Sequence, residues 1–489
     1  MGLRTHIWHW IGVSSLVLAL VLVLDRQMPE SGDVYTSSSV SSRDFTEGTS
    51  FYTLYHEGTP VGQIRTTRAR RLPSGFAYDV RTELRLTAMG QSVEILVELS
   101  ANFDATFGLE SIDFSMESGP TSAKGRAEVK GKVLNIELKT GGTTITHAMP
   151  FDRHLVLSAL LGPSITADAL QPGDTRTLNV FDPLSQTVRK TQITAVAYED
   201  IRVLDRPIKT LKIRQETMGV VLNGWVNSRG EMVRQELGLG LVAQLEPKAV
   251  AEHHSAQKKG RVDLISEVMI PVKSMPTSMN MQSSIQYRIS GLSSAAVLEN
   301  SERQMWASNV MTITRESLNT ETPFSVSAAK VEDDDLLYQA GNAQVRALAL
   351  EVAADAGTVD QLVANALNWF EANIEQEAVA SIPSALETLR TRTGDCNEHA
   401  FLFAGMMRSL GVKTRVVAGI AYIERLEKFG YHAWNEIQMG DRFVTVDPTW
   451  RQFPADLTHI ALARGGLQAQ SHLWSLMGRL KVDVVAPTQ

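Results

Sequence analysis

The sequence GDCNEHAFLFAGMMRSLG, residues 394–411, begins the stretch around which the chain is organised. Cys396 is the only cysteine among 489 residues, and the apolar residues that follow it recur at helical spacing. Asp395 is placed as the N-cap, Glu398 as the second half of a capping box, and Gly411 as the C-terminal stop. The pattern therefore predicts a helix with Cys396 in its first turn, where the helix dipole favours a thiolate.

The second half of this stretch, which ends at VTVDPTW, predicts a β-hairpin. Alternating and apolar residues flank Gly440-Asp441, and glycine as the first residue of a two-residue loop suits a II′ turn. This loop places Trp434 opposite Asp447, so His432 is diagonal to Asp447 on the same face of the hairpin. A slip of one residue would put the two side chains on opposite faces. The sequence thus predicts a nucleophile at a helix start, a base on a strand, and an acid that orients the base.

Three motifs in this order carry a resemblance to a known family: GDCNEHAFLFAGMMRSLGVKTRVVAG, YHAWNEI and VTVDPTW. They resemble the core of bacterial transglutaminase-like proteins, which belong to the papain-like thiol superfamily. The resemblance covers about residues 330–470. It implies that Cys396 is the nucleophile, His432 the base, and Asp447 the carboxylate that holds the imidazole tautomer. We expect no metal ion and no other cofactor.

Neighbouring residues of the stretch have structural explanations. A lone cysteine is often a buried small hydrophobe, but the capped helix start and the hairpin favour a nucleophile at this position. Trp434 and Trp450 are expected to shield the site by packing. Glu398 is explained by helix capping, and His399 is expected to be a surface residue rather than a second base.

The first 24 residues have the pattern of a membrane anchor. The segment from Ile7 to Leu24 is apolar apart from His9, and its 18 residues are just enough to span a bilayer. Arg4 precedes the apolar run, which predicts a cytoplasmic N-terminus and export of the rest of the chain. No small-x-small cleavage site follows, so a retained anchor is favoured over a cleaved signal peptide. We therefore expect a single-pass protein of the cell (inner) membrane, with its globular part on the periplasmic side.

The composition limits the possible partners and the number of domains. A length of 489 residues predicts two or three domains, and 43% hydrophobic residues allow sizeable cores. A net charge of −7 argues against nucleic acid as the main partner. In an oxidising compartment, a single cysteine has no intramolecular disulfide partner and can remain available for catalysis.

The overall pattern predicts an α+β protein in which a large antiparallel β domain, curved or half-closed into a barrel, precedes a catalytic core. In the catalytic core, residues 336–353 and 358–376 are predicted helices. Residues 154–162 are predicted as one short helix within the β domain. The predicted divisions are an anchor (1–24), a flexible stalk (25–50), an antiparallel β domain (51–248), a polar linker (249–265), a small β segment (266–329) and a transglutaminase-like domain (330–489).

From these features we predict thiol-dependent acyl transfer on carboxamide or peptide groups of exported proteins or peptides, through a thioester intermediate. A cysteine peptidase or amidase with the same three residues is the first alternative. A non-catalytic binding or scaffold protein, in which the β domain carries the function, is the second. The three residues are common to transamidation and hydrolysis, so the sequence leaves both open.

Overall fold

The computed structural model describes the parts of the chain on which the fold and the site depend. The described residues are 34–35, 45–88, 91–118, 121–140, 143–152, 156–157, 170–182, 187–217, 220–256, 263–273, 275, 282–292, 298–318, 322–326, 337–377, 383–466, 473 and 476–488. The predicted anchor and most of the predicted stalk lie outside these residues. Within them, no helix is both long enough and apolar enough to cross a membrane.

The chain divides into two compact units, one mainly of residues 18–140 and 144–264 and the other mainly of residues 265–489. The first unit is almost wholly β, and the second combines helices with small sheets. The chain is therefore α+β, with a large β domain before a C-terminal domain that contains the predicted site.

Sixteen strands within the described residues form one sheet in the first unit. They are β1 (Val34–Tyr35), β2 (Gly48–His56), β3 (Thr59–Arg70), β4 (Phe76–Ala88), β5 (Gln91–Phe103), β6 (Leu109–Ser118), β7 (Thr121–Lys130), β8 (Val133–Thr140), β9 (Thr143–Pro150), β10 (Val156–Leu157), β11 (Thr175–Asp182), β12 (Thr187–Val203), β13 (Arg206–Thr217), β14 (Val220–Asn227), β15 (Met232–Gly238) and β16 (Leu241–Glu246).

The strand order is β1-β11-β12-β13-β14-β15-β16-β2-β3-β4-β5-β6-β7-β8-β9, with β10 also paired to β11. The pairs from β11 to β16, β16 with β2, and those from β2 to β8 are antiparallel, whereas β1 and β10 run parallel to β11. Of the short helix predicted over 154–162, the structure describes only the two residues of β10, which form a strand instead.

One hydrophobic core contains residues from strands that are far apart in the order of this sheet. It joins Ile136 on β8 to Val180 on β11, although these strands lie towards opposite ends of the strand order. Phe103 on β5 and Ile213 on β13 belong to the same buried cluster. Because side chains on one face of alternating strands can meet only if the sheet bends around them, the sheet is curved, as the sequence predicted.

The predicted polar linker instead contains a helix, α1 (Lys248–Ala256). Ala251 on this helix is fully buried, and the helix packs against β2 and β3. His254 lies edge-on to Tyr55, with 5.8 Å between the ring centroids. A few side chains on one face are enough to fix a short helix on a sheet, and the polar composition of the segment concealed that face.

The second unit contains five helices and eleven strands among its described residues. The helices are α2 (Leu264–Val268), α3 (Ala343–Val352), α4 (Val359–Asn373), α5 (Ala385–Thr391) and α6 (Cys396–Ser409), and Glu424–Leu426 form a 3₁₀ turn. The strands are β17 (Ile270–Pro271), β18 (Ser284–Ser290), β19 (Gln304–Ala307), β20 (Val310–Thr314), β21 (Glu375–Gln376), β22 (Thr393–Gly394), β23 (Thr414–Ile423), β24 (Lys428–Met439), β25 (Arg442–Val446), β26 (Ile460–Arg464) and β27 (Lys481–Thr488).

The central sheet of this unit has the order β17-β24-β23-β26, with β25 paired to β24, and α6 packs against β23 and β24. A second sheet has the order β19-β20-β18-β27. The helix predicted over 358–376 is confirmed as α4, capped by Thr358. The helix predicted over 336–353 is confirmed only from Ala343 onwards, as α3, because Asn342 caps it there and residues 337–342 form turns. The small β segment is not self-contained, because β27 from the end of the chain completes its sheet. Local patterning cannot reveal a pairing between strands so distant in sequence.

Candidate active site

Helix α6 begins where the sequence predicted. The Asp395 side chain accepts a hydrogen bond from the backbone N–H of Asn397 at 2.9 Å, and the Glu398 side chain accepts one from the backbone N–H of Asp395 at 2.9 Å. The Asp395 side chain also accepts from the backbone N–H of Glu398, so both halves of the capping box are present. Cys396 is the first residue of the helix and is only 1% exposed. The helix start thus fixes the backbone of the candidate nucleophile inside the protein.

The hairpin of β24 and β25 has the predicted register. Met439 pairs with Arg442 across Gly440-Asp441, and Gly440 has the positive φ of +62° that the first position of a II′ turn requires. Asp447 follows the last residue of β25 directly. Nε2 of His432 lies 2.8 Å from Oδ2 of Asp447, and both side chains are buried. The predicted contact between these two residues is therefore present.

Asp447 is oriented by the turn that it begins. Its Oδ1 accepts hydrogen bonds from the backbone N–H groups of Thr449 at 2.8 Å and Trp450 at 3.1 Å, so Oδ2 is left for His432. Burial alone would raise the pKa of Asp447, but the charges and hydrogen bonds of His432 and His459 outweigh burial and hold that pKa well below its ordinary value. Asp447 is therefore ionised across the physiological pH range.

The thiol and the imidazole lie on neighbouring elements. The backbone N–H of Ala433 donates a hydrogen bond to the sulfur of Cys396, and Ala433 directly follows His432 on β24. Nδ1 of His432 is buried and has no hydrogen-bond partner among the described residues. Because Nε2 faces a carboxylate, we assign the ring proton to Nε2, which leaves the lone pair on Nδ1. Nδ1 is therefore the nitrogen of His432 that can accept a proton.

The expectation that the helix start favours a thiolate is not met. Burial raises the pKa of the Cys396 thiol well above its usual value, and the charge of Asp395 raises it further. Glu398 and Asp447 act in the same direction, whereas the N–H of Ala433 lowers the pKa. Loss of hydration and nearby carboxylates outweigh the dipole of one helix. The thiol is therefore protonated at rest, and a thiolate forms only if a base removes its proton.

Two tryptophans enclose the imidazole, as expected from the sequence. The Trp450 ring stacks on His432 with 4.2 Å between centroids and 16° between planes. The Trp434 ring is 1% exposed, and its centroid lies 6.1 Å from that of the His432 ring. Such contacts hold the imidazole plane in place and keep water away from it.

His399 is buried, so its prediction as a surface residue was wrong. It is 2% exposed, its Nδ1 lies 2.7 Å from the carbonyl oxygen of Asp395, and its ring stacks on Phe370 at 5.4 Å. Burial lowers the pKa of His399 to about 4, which keeps it neutral at physiological pH. The prediction failed because α6 is enclosed on almost every side, whereas a polar residue near a helix start is usually solvated.

A second histidine, which the sequence analysis did not single out, reaches the same carboxylate. Nε2 of His459 lies 3.2 Å from Oδ2 of Asp447. Ligand atoms of His432, Asp447 and His459 all lie within 4.8 Å of one another, a spacing that a metal ion could also use. Because one oxygen of Asp447 already accepts from both rings, we assign the three residues to hydrogen bonding rather than to a metal site. The only local signal in the sequence was the Asp-x-x-His spacing of Asp456 and His459.

A cysteine thus opens a helix, a histidine lies on a strand packed against that helix, and an aspartate directly follows the next strand. Residues 346–448 match the model of the transglutaminase-like superfamily, so this part of the chain is a transglutaminase-like domain. A comparison with curated proteins found no match.

Solved structures resemble the chain only distantly. A beta-barrel-like protein of a domain of unknown function from Brucella abortus is 12% identical, with a TM-score of 0.31 over 40% of this chain and 94% of that one. A candidate cysteine protease from Cytophaga hutchinsonii is 16% identical, with a TM-score of 0.27 over 42% of this chain and 86% of that one. These likenesses are too low to carry a conclusion about this chain.

Proposed function

We propose that the protein is a thiol acyltransferase of transglutaminase type, which acts on carboxamide or peptide groups of exported proteins or peptides. The observation that carries this proposal is the buried hydrogen bond of 2.8 Å between His432 and Asp447. The sulfur of Cys396 accepts a hydrogen bond from the backbone N–H of Ala433, the residue that follows His432 on the strand. In this arrangement the unpartnered Nδ1 of His432 is the base for the thiol.

The first step is attack on the acyl donor. His432 Nδ1 takes the proton of the Cys396 thiol, and the sulfur forms a bond to the carbonyl carbon while the C=O π electrons move onto oxygen. The raised pKa of the resting thiol makes this proton transfer necessary. The ionised carboxylate of Asp447 stabilises the imidazolium that results.

The second step forms the thioester. The backbone N–H of Cys396, at the start of α6, is placed to stabilise the oxyanion, because the first N–H groups of a helix have no partner within it. The oxyanion collapses, the C–N bond breaks, and the leaving amine or ammonia takes the proton from His432. A primary amine then loses a proton to His432 and attacks the thioester, which gives a new amide and restores the thiol.

Burial of the site limits hydrolysis of the thioester by bulk water. The side chains of His432 and Asp447 are 2% and 0% exposed, and Cys396 is 1% exposed. A thioester formed in such a site is protected from bulk water until an acceptor enters with its own binding contacts. Hydrolysis by the same three residues is the alternative outcome of the experiment below.

We further propose that the enzyme is held in the inner membrane by residues 1–24 and works on the periplasmic side. The support for this location is the apolar run from Ile7 to Leu24 with Arg4 before it. Fractionation of cells that express the full chain, followed by protease treatment of spheroplasts, tests it. A protein that stays in the cytosol would contradict this location.

The activity is tested with the full-length protein in detergent, a glutamine-containing peptide and a fluorescent primary amine. Amine incorporation supports acyl transfer, whereas release of ammonia or of a shorter peptide alone indicates a hydrolase. Absence of every product across a panel of peptides contradicts both. The Cys396→Ala protein, checked for unchanged thermal unfolding, should give no product, and any activity that survives this change would refute the assignment of the nucleophile.

A further inference from the structure

One oxygen of Asp447 receives two imidazoles. Nε2 of His432 lies at 2.8 Å and Nε2 of His459 at 3.2 Å from the same Oδ2. The side chains of His459 and Asp447 are both 0% exposed. The mechanism proposed above uses only the first of these contacts, so the buried His459 needs a separate explanation.

The other ring nitrogen of His459 also faces a carboxylate. Nδ1 lies 3.1 Å from Oδ1 of Asp456, and the same oxygen accepts from the backbone N–H of Thr458 at 2.8 Å and from its hydroxyl at 2.6 Å. A ring with a carboxylate at each nitrogen is most stable when both nitrogens carry protons. Burial alone would lower the pKa of His459, but Asp456 and Asp447 raise it to about 9. His459 is therefore an imidazolium at neutral pH.

The loop that carries Asp456 and His459 is tied down by a distant segment of the chain. Arg303 is 7% exposed, and its guanidinium donates to the carbonyl oxygens of Ala455 at 3.0 Å, of His459 at 3.4 Å, and of Asp456. Gln304 exchanges two hydrogen bonds with the backbone of Ala461, at 2.8 and 2.9 Å. The small sheet thus fixes the loop, which makes His459 a rigid part of the site.

We propose that His459 is a positioning residue, a fixed buried cation that holds Asp447 towards His432 and sets the protonation of the His432–Cys396 pair. This inference rests on the proposed function, because it concerns the same three residues. It goes further than that function because it adds Asp456 and His459 to the site. With His432 and Asp447 they form a chain of two carboxylates and two imidazoles.

The sign of the electrostatic effect follows from the groups that face the site. His459 faces Asp447, Asp456 and His432, and the Arg303 guanidinium binds its backbone.

The thiol is also influenced by three carboxylates, those of Asp395, Glu398 and Asp447, and the neutral His399 lies beside them. A cation at position 459 opposes the proton on His432 and favours the thiolate. Its removal should therefore shift the titration of the Cys396 thiol to higher pH.

The test compares the pH dependence of Cys396 alkylation by iodoacetamide in the full-length wild type, His459→Gln and His459→Leu, followed by intact mass. Glutamine can place an N–H near the position of Nε2 but carries no charge. We expect His459→Gln to keep most of the maximal alkylation rate while its pH profile moves up by roughly one unit or more. We expect His459→Leu to lose about tenfold or more of the maximal rate as well, because Asp447 then loses a donor.

A second variant allows the inference to be refuted even if His459→Gln unfolds, and a third variant serves as the control. Asp456→Asn leaves the ring in place but weakens its hold on the second proton, so the profile should move up by a smaller amount. His253→Gln, an exposed histidine on α1, should leave the profile unchanged. A folded His459→Gln or Asp456→Asn protein with the wild-type profile would overturn the inference. Because alkylation needs no substrate, a shift in the profile without acyl transfer would support it while the proposed function fails.

Discussion

The carboxylate of Asp447 lies 2.8 Å from the imidazole of His432, at the end of a strand that pairs with the strand carrying the histidine. This contact orients the ring and leaves its other nitrogen, Nδ1, without a hydrogen-bond partner among the described residues. Asp447→Asn should preserve the fold but favour the wrong tautomer, and the rate constant should fall by about 10²- to 10⁴-fold. Steady-state kinetics of the variant measure this. A rate within a factor of two of wild type would remove Asp447 from the mechanism.

His432→Ala should be more damaging than Asp447→Asn, because it removes the base itself rather than its orientation. We expect activity to fall to the level of Cys396→Ala, since the raised pKa of the thiol leaves almost no thiolate without a base. Cys396 alkylation and acyl-transfer rates should fall together. A His432→Ala enzyme as active as Asp447→Asn would contradict this order.

Removal of metal ions by a chelator distinguishes a hydrogen-bonded group of residues from a metal site. His432, Asp447 and His459 have the spacing of a metal-binding group, but their atoms are already engaged with one another. We therefore expect dialysis against EDTA to leave activity unchanged. Loss of activity that is restored by one added divalent cation would instead identify these residues as metal ligands.

The buried His459 predicts a decline of stability with rising pH. Its pKa in the folded protein is raised to about 9, above the unfolded value of about 6.5, so its contribution is complete below pH 6.5 and is lost as the pH rises through 9. The total is on the order of 3 kcal/mol. Chemical denaturation from pH 6.5 to 7.5, below the ordinary thiol pKa of about 8.5, should show a decline that His459→Gln lacks. Parallel curves for the two proteins would contradict this assignment.

Close packing at Gly419 predicts a stability effect beside the site. A Cβ at this position would lie 2.1 Å from the carbonyl oxygen of Ile460 and 2.7 Å from the Trp434 ring. Gly419→Ala should push β26 away from β23 and destabilise the fold by about 1–3 kcal/mol. Gly341→Ala is the matched control, because its added Cβ would meet nothing within 4 Å. Equal free energies of unfolding for the two variants would show that the packing is looser than described.

Local rules were sufficient for the parts of the site that are close in sequence. Asp395 and Glu398 specify a helix start, and the Gly440-Asp441 loop specifies the register that brings His432 to Asp447. Each of these depends on interactions within a few residues or across one hairpin. The same rules predicted the antiparallel strands of the β domain.

The rest depends on contacts between segments far apart in sequence. His459 reaches Asp447 because Arg303, over 150 positions away, holds its loop, and no periodic pattern reports such a contact. The burial of His399 depends on Phe370 in α4, and the raised pKa of Cys396 depends on how fully the site is enclosed. Burial is a property of the assembled fold, so the charge states of these residues could not be predicted from spacing alone.

The most direct measurement of the central claim is covalent transfer to Cys396 from an activated acyl donor that needs no knowledge of the natural substrate. The full-length protein would be incubated with p-nitrophenyl acetate, quenched in acid and digested, and the peptide that contains Cys396 would be identified by mass spectrometry. We expect one acetyl group on Cys396 in the wild type and almost none in a folded His432→Ala protein. An unmodified Cys396, or equal modification in both proteins, would contradict the account.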